Sequence, residues 1–81
     1  MAGHTVTLLT RAGCHLCEPA REAMTRVAAV TGVAWHEVDV DSDDELRMEY
    51  GERLPVVLLD GREHGYWTVE EQRLIRDLER R

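Results

Sequence analysis

The chain has two cysteines, and they stand close together at positions 14 and 17 in the stretch TRAGCHLC (10–17). Two cysteines at this spacing can exchange disulfides, contribute to a metal site, or simply pack as small buried side chains. A disulfide between them would close a very short loop, which removes little entropy from the unfolded chain. We therefore do not interpret the pair as a structural staple.

The elements around the pair decide which chemistry is available. Alternating and β-branched residues predict a strand over His4–Thr10. Apolar residues then recur at three- and four-residue steps and predict an amphipathic helix from about Cys14 to Thr31, with a cap at Gly32. Pro19 lacks an amide donor and disfavours a helical residue before it, so we expect this helix to be distorted near Cys17.

This arrangement places Cys14 at the junction of the first strand and the first helix. Unpaired amides and the helix dipole at such a junction favour a thiolate over a thiol. Cys17 lies one turn later on the packed face of the helix. We predict that Cys14 is the exposed nucleophile that attacks a substrate disulfide, and that the more buried Cys17 resolves the mixed disulfide.

Other residues near the pair allow two interpretations each. Arg11 either stabilises the thiolate or an anionic substrate group, or is a solvated loop arginine. His15 either tunes Cys14 as an imidazolium or hydrogen-bond donor, or is a surface histidine. Tyr66 and Trp67 either flank the cysteine groove and contact substrate, or pack beneath the last helix.

The rest of the chain is predicted to form short strands and helices with clear cap and turn residues between them. The patterns predict a strand, a capped helix, a buried strand, a two-residue turn, a returning strand and a second capped helix. In order, these are Val33–Val40, a capping box at 42–45 with a helix to Tyr50 and a cap at Gly51, Pro55–Leu59, Asp60-Gly61, Arg62–Tyr66, and a capping box at 68–71 followed by the stripe Leu74, Ile75 and Leu78.

The element order is βαβαββα, which predicts an α/β fold with one mixed four-stranded sheet flanked by helices on both faces. The first two strands should be parallel because a helix joins them, and the last two should form an antiparallel hairpin. We expect a single domain over residues 1–81, since a chain of this length has no room for a second core. Pro55 opens the buried third strand. It either shapes the substrate groove or is an ordinary proline at the first residue of a strand.

Composition argues against several classes of protein. The net charge is −6, and ten arginines are scattered among sixteen acids, so we expect no nucleic-acid partner. The longest apolar run, Val56–Leu59, is too short to cross a membrane, and the first ten residues lack the pattern of a signal peptide. We expect a cytoplasmic protein, and in that compartment a cysteine pair is more often catalytic or metal-binding than structural.

Four segments carry a resemblance to a known family. They are TRAGCHLC (10–17), DVDSDDEL (39–46), YGERLPVVLLDG (50–61) and HGYW (64–67). Together with the element order, they make the chain similar to the glutaredoxins of the thioredoxin fold, and most closely to the short glutaredoxin-like proteins of bacteria. The resemblance covers nearly the whole chain.

The resemblance implies roles for further residues. Leu54-Pro55 matches a cis peptide bond beside the active cysteines, where the backbone before the proline pairs with substrate. Gly65 matches the second glycine of the Gly-Gly turn, whose first glycine is here His64. Thr68 stands where the family places an acid that contacts glutathione. The pair encloses His-Leu rather than the usual Pro-Tyr, and the proline motif reads RLP rather than TVP.

We therefore expect a cytoplasmic thiol–disulfide oxidoreductase that acts on protein or low-molecular-weight disulfides, as a monomer without a bound cofactor or metal. Glutathione, another small thiol or a thioredoxin reductase are the candidate electron donors. Two alternatives stay open. The chain is a thioredoxin-like adaptor domain with inert cysteines, or the pair binds metal, as zinc or as an iron–sulfur cluster shared between protomers. Exposure and pKa of Cys14 distinguish these alternatives.

Overall fold

A computed structural model describes residues 3–79, and its elements follow the predicted order. They are β1 Val6–Thr10, α1 Cys17–Thr31, β2 Trp35–Asp39, a 3-10 helix Val40–Ser42, α2 Asp44–Tyr50, β3 Val56–Leu59, β4 Arg62–Tyr66 and α3 Glu71–Glu79. The predicted domain of residues 1–81 includes four terminal residues that lie outside the described range, two at each end.

The four strands form one mixed sheet in the order β2-β1-β3-β4, as predicted. β1 pairs in parallel with β2, while β3 pairs antiparallel with both β1 and β4. The strands have two ends. At the first, which we call the cysteine end, β1 and β2 finish and β3 begins. At the second, the hairpin end, a turn joins β3 to β4.

Alternation along β1 places helices on both faces of the sheet. Val6 and Leu8 are fully buried against Met24 of α1 and Leu74 of α3. Leu9 points the other way, into a smaller cluster that α2 covers with two partly buried side chains, Leu46 and Tyr50. The predicted flanking of the sheet is therefore confirmed, and the two layers of helix bury both faces of the central strands.

Helix α1 begins at Cys17, three residues later than predicted. Pro19 is the reason, because from this start it is the third helical residue, where no amide hydrogen bond is needed. A start at Cys14 would have put Pro19 where its missing amide should bond the carbonyl of His15. The predicted C-terminal cap is confirmed, since Gly32 has φ +76° and donates its amide to Ala28.

The caps of the other helices shift from their predicted residues. Asp43, rather than Ser42, caps α2, and its carboxylate accepts from the amides of Glu45 and Leu46 at 2.8 and 3.2 Å. Ser42 instead belongs to the 3-10 helix, which also takes Val40 from the predicted second strand. Helix α3 starts at Glu71, later than the predicted capping box, because residues 67–68 form a tight turn first.

The Asp60-Gly61 turn at the hairpin end is confirmed. Both residues have positive φ, +53° and +85°, as a two-residue hairpin turn of this type requires. The Asp60 carboxylate accepts from the amide of Thr5 at 2.8 Å and pairs with His4 at 2.7 Å. These contacts lower the pKa of Asp60, the amide of Thr5 contributing most. The turn therefore also fastens the start of β1.

Candidate functional site

Two main-chain hydrogen bonds hold the loop between β1 and α1, residues 11–16, which carries Cys14 and which we call the cysteine loop. The Cys14 amide donates to the Arg11 carbonyl at 3.2 Å, and the Cys17 amide donates to the Cys14 carbonyl at 3.3 Å. Gly13 is the third residue of the turn from Arg11 to Cys14. Its φ of +79° is a conformation that glycine adopts there without strain. Cys14 is therefore fixed on both sides of its backbone.

The two sulfur atoms lie at disulfide-bonding distance, with the α-carbons 5.4 Å apart. Cys14 is half-buried, whereas Cys17 has no exposed surface. The predicted difference in exposure is therefore present. Cys14 itself precedes the helix, but its sulfur contacts that of Cys17, the first residue of α1. The sulfur thus still lies at the positive end of the helix dipole.

Pro55 lies beside this loop at the cysteine end. The register pairs Val56 with Leu9, so the preceding Pro55 falls level with Thr10, the last residue of β1. The Leu54–Pro55 peptide bond is cis, as the resemblance implies. Pro55 is buried, and its carbonyl accepts from the Trp67 amide at 2.8 Å. The start of β3 is therefore tied to the end of β4.

The Arg11 side chain remains 37% exposed but is hydrogen-bonded to its own protein. The guanidinium donates from Nε and Nη2 to the two carboxylate oxygens of Asp41, at 3.0 and 3.1 Å, and from Nη1 to the carbonyl of Gly51 at 3.3 Å. The hydrogen bond to Asp41 is the main cause of its raised pKa. The predicted role of Arg11 toward a thiolate or an anion therefore faces a competing partner.

The remaining predicted residues gather near the same end of the sheet. His15 is exposed between the cysteines, and Gly65, Tyr66 and Thr68 lie at or just past the end of β4. A Cβ at Gly65 would make only ordinary contacts, 3.6 Å from the nearest atom, so no close approach requires this glycine. His64, in place of the family's first glycine, points into the protein.

The His64 side chain is 6% exposed and pairs with Asp77 of α3 at 2.8 Å. Its carbonyl accepts from the Arg73 guanidinium at 2.6 Å. These contacts fasten α3 to β4, so the histidine that replaces glycine supports the edge of the sheet rather than the cysteine loop.

Sequence reasoning missed the backbone of Trp67. This residue has φ +69°, which a bulky side chain rarely adopts. Hydrogen bonds hold it there, from its own amide to Pro55 and from the Thr68 amide to the Tyr66 carbonyl, both at 2.8 Å. No sequence signal announces a positive φ at tryptophan. In this conformation the rings of Tyr66 and Trp67 pack edge to face, with ring centres 5.0 Å apart. Both residues are about half exposed.

The exposed indole borders a groove of about 180 Å³ that runs along the start of α1. Its apolar lining includes Leu16, Pro19 and Ala20 around the start of α1, and Val69 from the segment before α3. Leu16 stands between the two cysteines and is 50% exposed. An apolar surface therefore continues from the cysteine pair toward Trp67.

A polar network missed by sequence reasoning fastens the start of α1 to the sheet. The buried Thr10 hydroxyl donates to Glu37 of β2 at 2.7 Å, and Arg21 of α1 donates to the same carboxylate from Nε and Nη2. Arg21 also contacts Glu18 at 2.6 Å. The hydrogen bonds from Arg21, ahead of that from Thr10, lower the pKa of Glu37. The Glu18–Arg21 spacing was visible in sequence, but the long-range partner was not.

Within residues 3–79, no group of three or more His, Cys, Asp or Glu side chains is placed to hold a metal ion. In the same range, none of the helices combines the length and the apolarity that a membrane span needs.

The architecture matches solved structures of known fold. A protein from Nitrosomonas europaea superposes with a TM-score of 0.86 at 18% identity, over 98% of this chain and 95% of that one. Mitochondrial thioredoxin 3 from Saccharomyces cerevisiae superposes with a TM-score of 0.67 at 18% identity, over 98% and 79%. The molecule has the thioredoxin fold, with the cysteine pair at the start of α1.

Sequence comparisons identify the family to which the chain belongs within this fold. The family model described as Glutaredoxin-like domain (DUF836) matches residues 5–79, and the chain belongs to that family. Uncharacterized proteins of Mycobacterium bovis and Mycobacterium tuberculosis are 46% identical over 99% of this chain and 88% of theirs. A structural-genomics target protein from X. campestris is 37% identical, with a TM-score of 0.72 over 91% and 95% of the two chains.

Proposed function

We propose that this protein is a thiol–disulfide oxidoreductase that works through Cys14 and Cys17. The observation that carries the proposal is the difference between the two cysteines. A half-buried Cys14 is open to a substrate, and a wholly buried Cys17 lies within bonding distance of it. An inert pair would have both sulfurs enclosed, whereas a working pair needs one accessible thiolate and one partner that only it can reach.

The exchange takes two displacements. The Cys14 thiolate attacks one sulfur of the substrate disulfide, a Cys14–substrate disulfide forms, and the first substrate thiolate leaves. Cys17 then gives up its proton and attacks the Cys14 sulfur, which releases the second substrate thiolate and forms the Cys14–Cys17 disulfide. The substrate gains two electrons and the protein loses two. An external thiol, such as glutathione, or a reductase returns them.

The surface around the pair favours a polypeptide disulfide as substrate. Leu16, Tyr66 and Trp67 each expose about half of their surface. Leu16 lies between the cysteines in sequence, Leu16 and Trp67 line the groove, and Tyr66 packs edge to face on Trp67. Burial of such apolar surface against a partner lowers the free energy of the complex. The backbone of Leu54, before the cis bond, supplies the family's main-chain contact to substrate. Disulfides of small thiols stay a second class of substrate.

The test is a redox titration combined with cysteine variants of the full chain. We expect a reversible two-electron transition between about −300 and −180 mV. Cys14→Ser should abolish reduction of a peptide disulfide, and Cys17→Ser should accumulate the mixed disulfide, which mass spectrometry detects. Full activity in Cys14→Ser would contradict the proposal. Thiols that react only after unfolding would favour the adaptor alternative instead.

A further inference from the structure

We infer that Arg11 is a positioning residue whose side chain joins the cysteine loop to the two chain segments that flank α2, and so sets the spacing between Cys14 and Pro55. We call this set of contacts the Arg11 clasp; it consists of Arg11, Asp41 and Gly51. The inference rests on the proposed function, because it concerns the same exchange reaction.

The first half of the clasp is a two-pronged ion pair. Nε and Nη2 of Arg11 donate to separate oxygens of Asp41, at 3.0 and 3.1 Å, so that the guanidinium plane and the carboxylate face each other. Asp41 is itself held, since its amide donates to the Asp39 carboxylate at 2.9 Å. Two parallel bonds fix the orientation of the arginine, which a lysine ammonium cannot reproduce.

The second half of the clasp reaches the chain that leads to Pro55. Nη1 of Arg11 donates to the carbonyl of Gly51 at 3.3 Å, and only three residues separate Gly51 from Pro55. A Cβ at Gly51 would collide with the carbonyl oxygen of Arg47 and lie 3.2 Å from the Arg11 guanidinium. The glycine therefore leaves room for the helix end and the arginine to approach each other.

The main chain of Arg11 completes the connection to the nucleophile. Its carbonyl accepts the Cys14 amide at 3.2 Å, in the turn that Gly13 permits. One residue thus holds Cys14 through its backbone and the segments around α2 through its side chain. Because a substrate disulfide must fit between Cys14 and Pro55, loosening the clasp should misplace the reacting sulfur relative to its substrate.

A clasp and a direct electrostatic role of Arg11 predict opposite effects on the exchange rate when the Asp41 carboxylate is removed. If the charge of Arg11 served the Cys14 thiolate, removal of the competing Asp41 carboxylate would free that charge, lower the pKa of Cys14 and speed the reaction. If Arg11 acts as a clasp, removal of Asp41 should slow exchange as much as removal of Arg11 does. The sign of the Asp41→Asn effect therefore separates the two roles.

The experiment compares Arg11→Met, Arg11→Lys, Asp41→Asn and the double variant Arg11→Met/Asp41→Asn with wild type, each as the full chain. Arg47→Met and Asp44→Asn are matched controls, because this exposed ion pair on α2, with atoms 2.8 Å apart, carries the same charges and its side-chain contact is separate from the clasp. Two quantities are measured. One is the rate constant for reducing a peptide disulfide, and the other is the pH midpoint of Cys14 alkylation by iodoacetamide in the reduced protein.

We expect each of the three single variants to slow exchange on the order of tenfold, with the alkylation midpoint unchanged and both controls at the wild-type rate. The double variant should be no slower than either of its parents, because both break the same clasp. Faster exchange and a lower midpoint in Asp41→Asn would overturn the inference, as would a wild-type rate in Arg11→Lys. A wild-type protein without exchange activity would contradict the proposed function itself, whereas exchange at the wild-type rate in all variants would contradict only the clasp.

Discussion

The two ends of the sheet differ in which residue types adopt positive φ angles. Within residues 3–79, positive φ angles at the hairpin end fall on Asp60, Gly61 and the neighbouring helix cap Gly32, all residue types that tolerate them. At the cysteine end, Gly13 follows the same rule but Trp67 does not. A glycine at 67 would satisfy the backbone without strain, so the fold alone does not call for a tryptophan there. Strain of this kind is concentrated at functional sites, and here it presents an indole beside the groove.

The two ends also differ in what they expose. Three of the five large hydrophobic side chains that the described residues leave exposed, Leu16, Tyr66 and Trp67, are at the cysteine end. The hairpin end instead closes on hydrogen bonds, with the Asp60 carboxylate held by Thr5 and His4. We therefore expect the hairpin end to serve stability and the cysteine end to serve binding. Substitutions at matched positions should therefore separate the two properties.

At the hairpin end, the largest effect on stability should come from Gly61→Val. Valine at φ +85° should lower the free energy of unfolding by about 2 kcal/mol, because a β-branched side chain clashes with its own backbone there. Urea unfolding measures the change, and the exchange rate of the folded variant should equal that of wild type. Arg62→Val, one residue on in β4, is the control and should change stability little. A folded Gly61→Val protein with impaired exchange would break the division between the two ends.

The reverse result is expected for Trp67→Asn at the cysteine end. Asparagine tolerates a positive φ, and the relief of about 1–2 kcal/mol should offset the lost ring contact with Tyr66, worth about 0.5–1.5 kcal/mol. The free energy of unfolding should therefore change by less than about 1 kcal/mol. Exchange with a peptide disulfide flanked by apolar residues should slow by about tenfold, since the apolar wall of the groove is lost.

Trp35→Asn is the matched control for that variant. Trp35 has an ordinary strand conformation in β2 and packs against the main core cluster, so its loss should reduce stability by about 2 kcal/mol or more. A Trp67→Asn protein that unfolds as readily as Trp35→Asn would show that the exposed indole is a structural residue. An unchanged exchange rate would show that the groove does not bind the peptide.

Much of this contrast was hidden from the sequence, for physical reasons. The Asp60-Gly61 turn and the Gly32 cap were predictable because their conformations are encoded locally, in residue types that favour them. The cysteine spacing likewise indicated the candidate site. Trp67 was not predictable, because its φ is imposed by hydrogen bonds to Pro55 and Tyr66 that exist only in the folded chain.

Long-range polar contacts were missed for a related reason. Arg11 and Asp41 are thirty residues apart, and they meet because the 3-10 helix after β2 turns Asp41 toward the cysteine loop. Sequence reasoning predicted a strand through Val40, which would have carried Asp41 onward. The start of α1, by contrast, was recoverable, since Pro19 already indicated where the first turn had to lie.

The smallest effect, on acid stability, offers a direct comparison of the two ends. Glu37, which accepts a hydrogen bond from Thr10 at the cysteine end, and Asp60 at the hairpin end both have a lowered pKa, relative to ordinary values near 4.5 and 3.8. A carboxylate whose pKa is lower in the folded than in the unfolded protein stabilises the fold above its unfolded pKa. That stabilisation is lost as the pH falls through the folded pKa. Stability should therefore decline with acidification below about pH 4.5.

Glu37→Gln and Asp60→Asn should each flatten part of this decline, which urea unfolding between about pH 2 and pH 7 would measure. Each variant should be less stable than wild type at neutral pH and should approach it at the acid end, where the wild-type carboxyl group is protonated as well. Only Glu37→Gln should also slow exchange at neutral pH, because Glu37 joins Thr10 at the end of β1 to Arg21 of the cysteine helix. If Asp60→Asn slowed exchange equally, the hairpin end would contribute to the reaction, and stability and binding would not be divided between the two ends of the sheet.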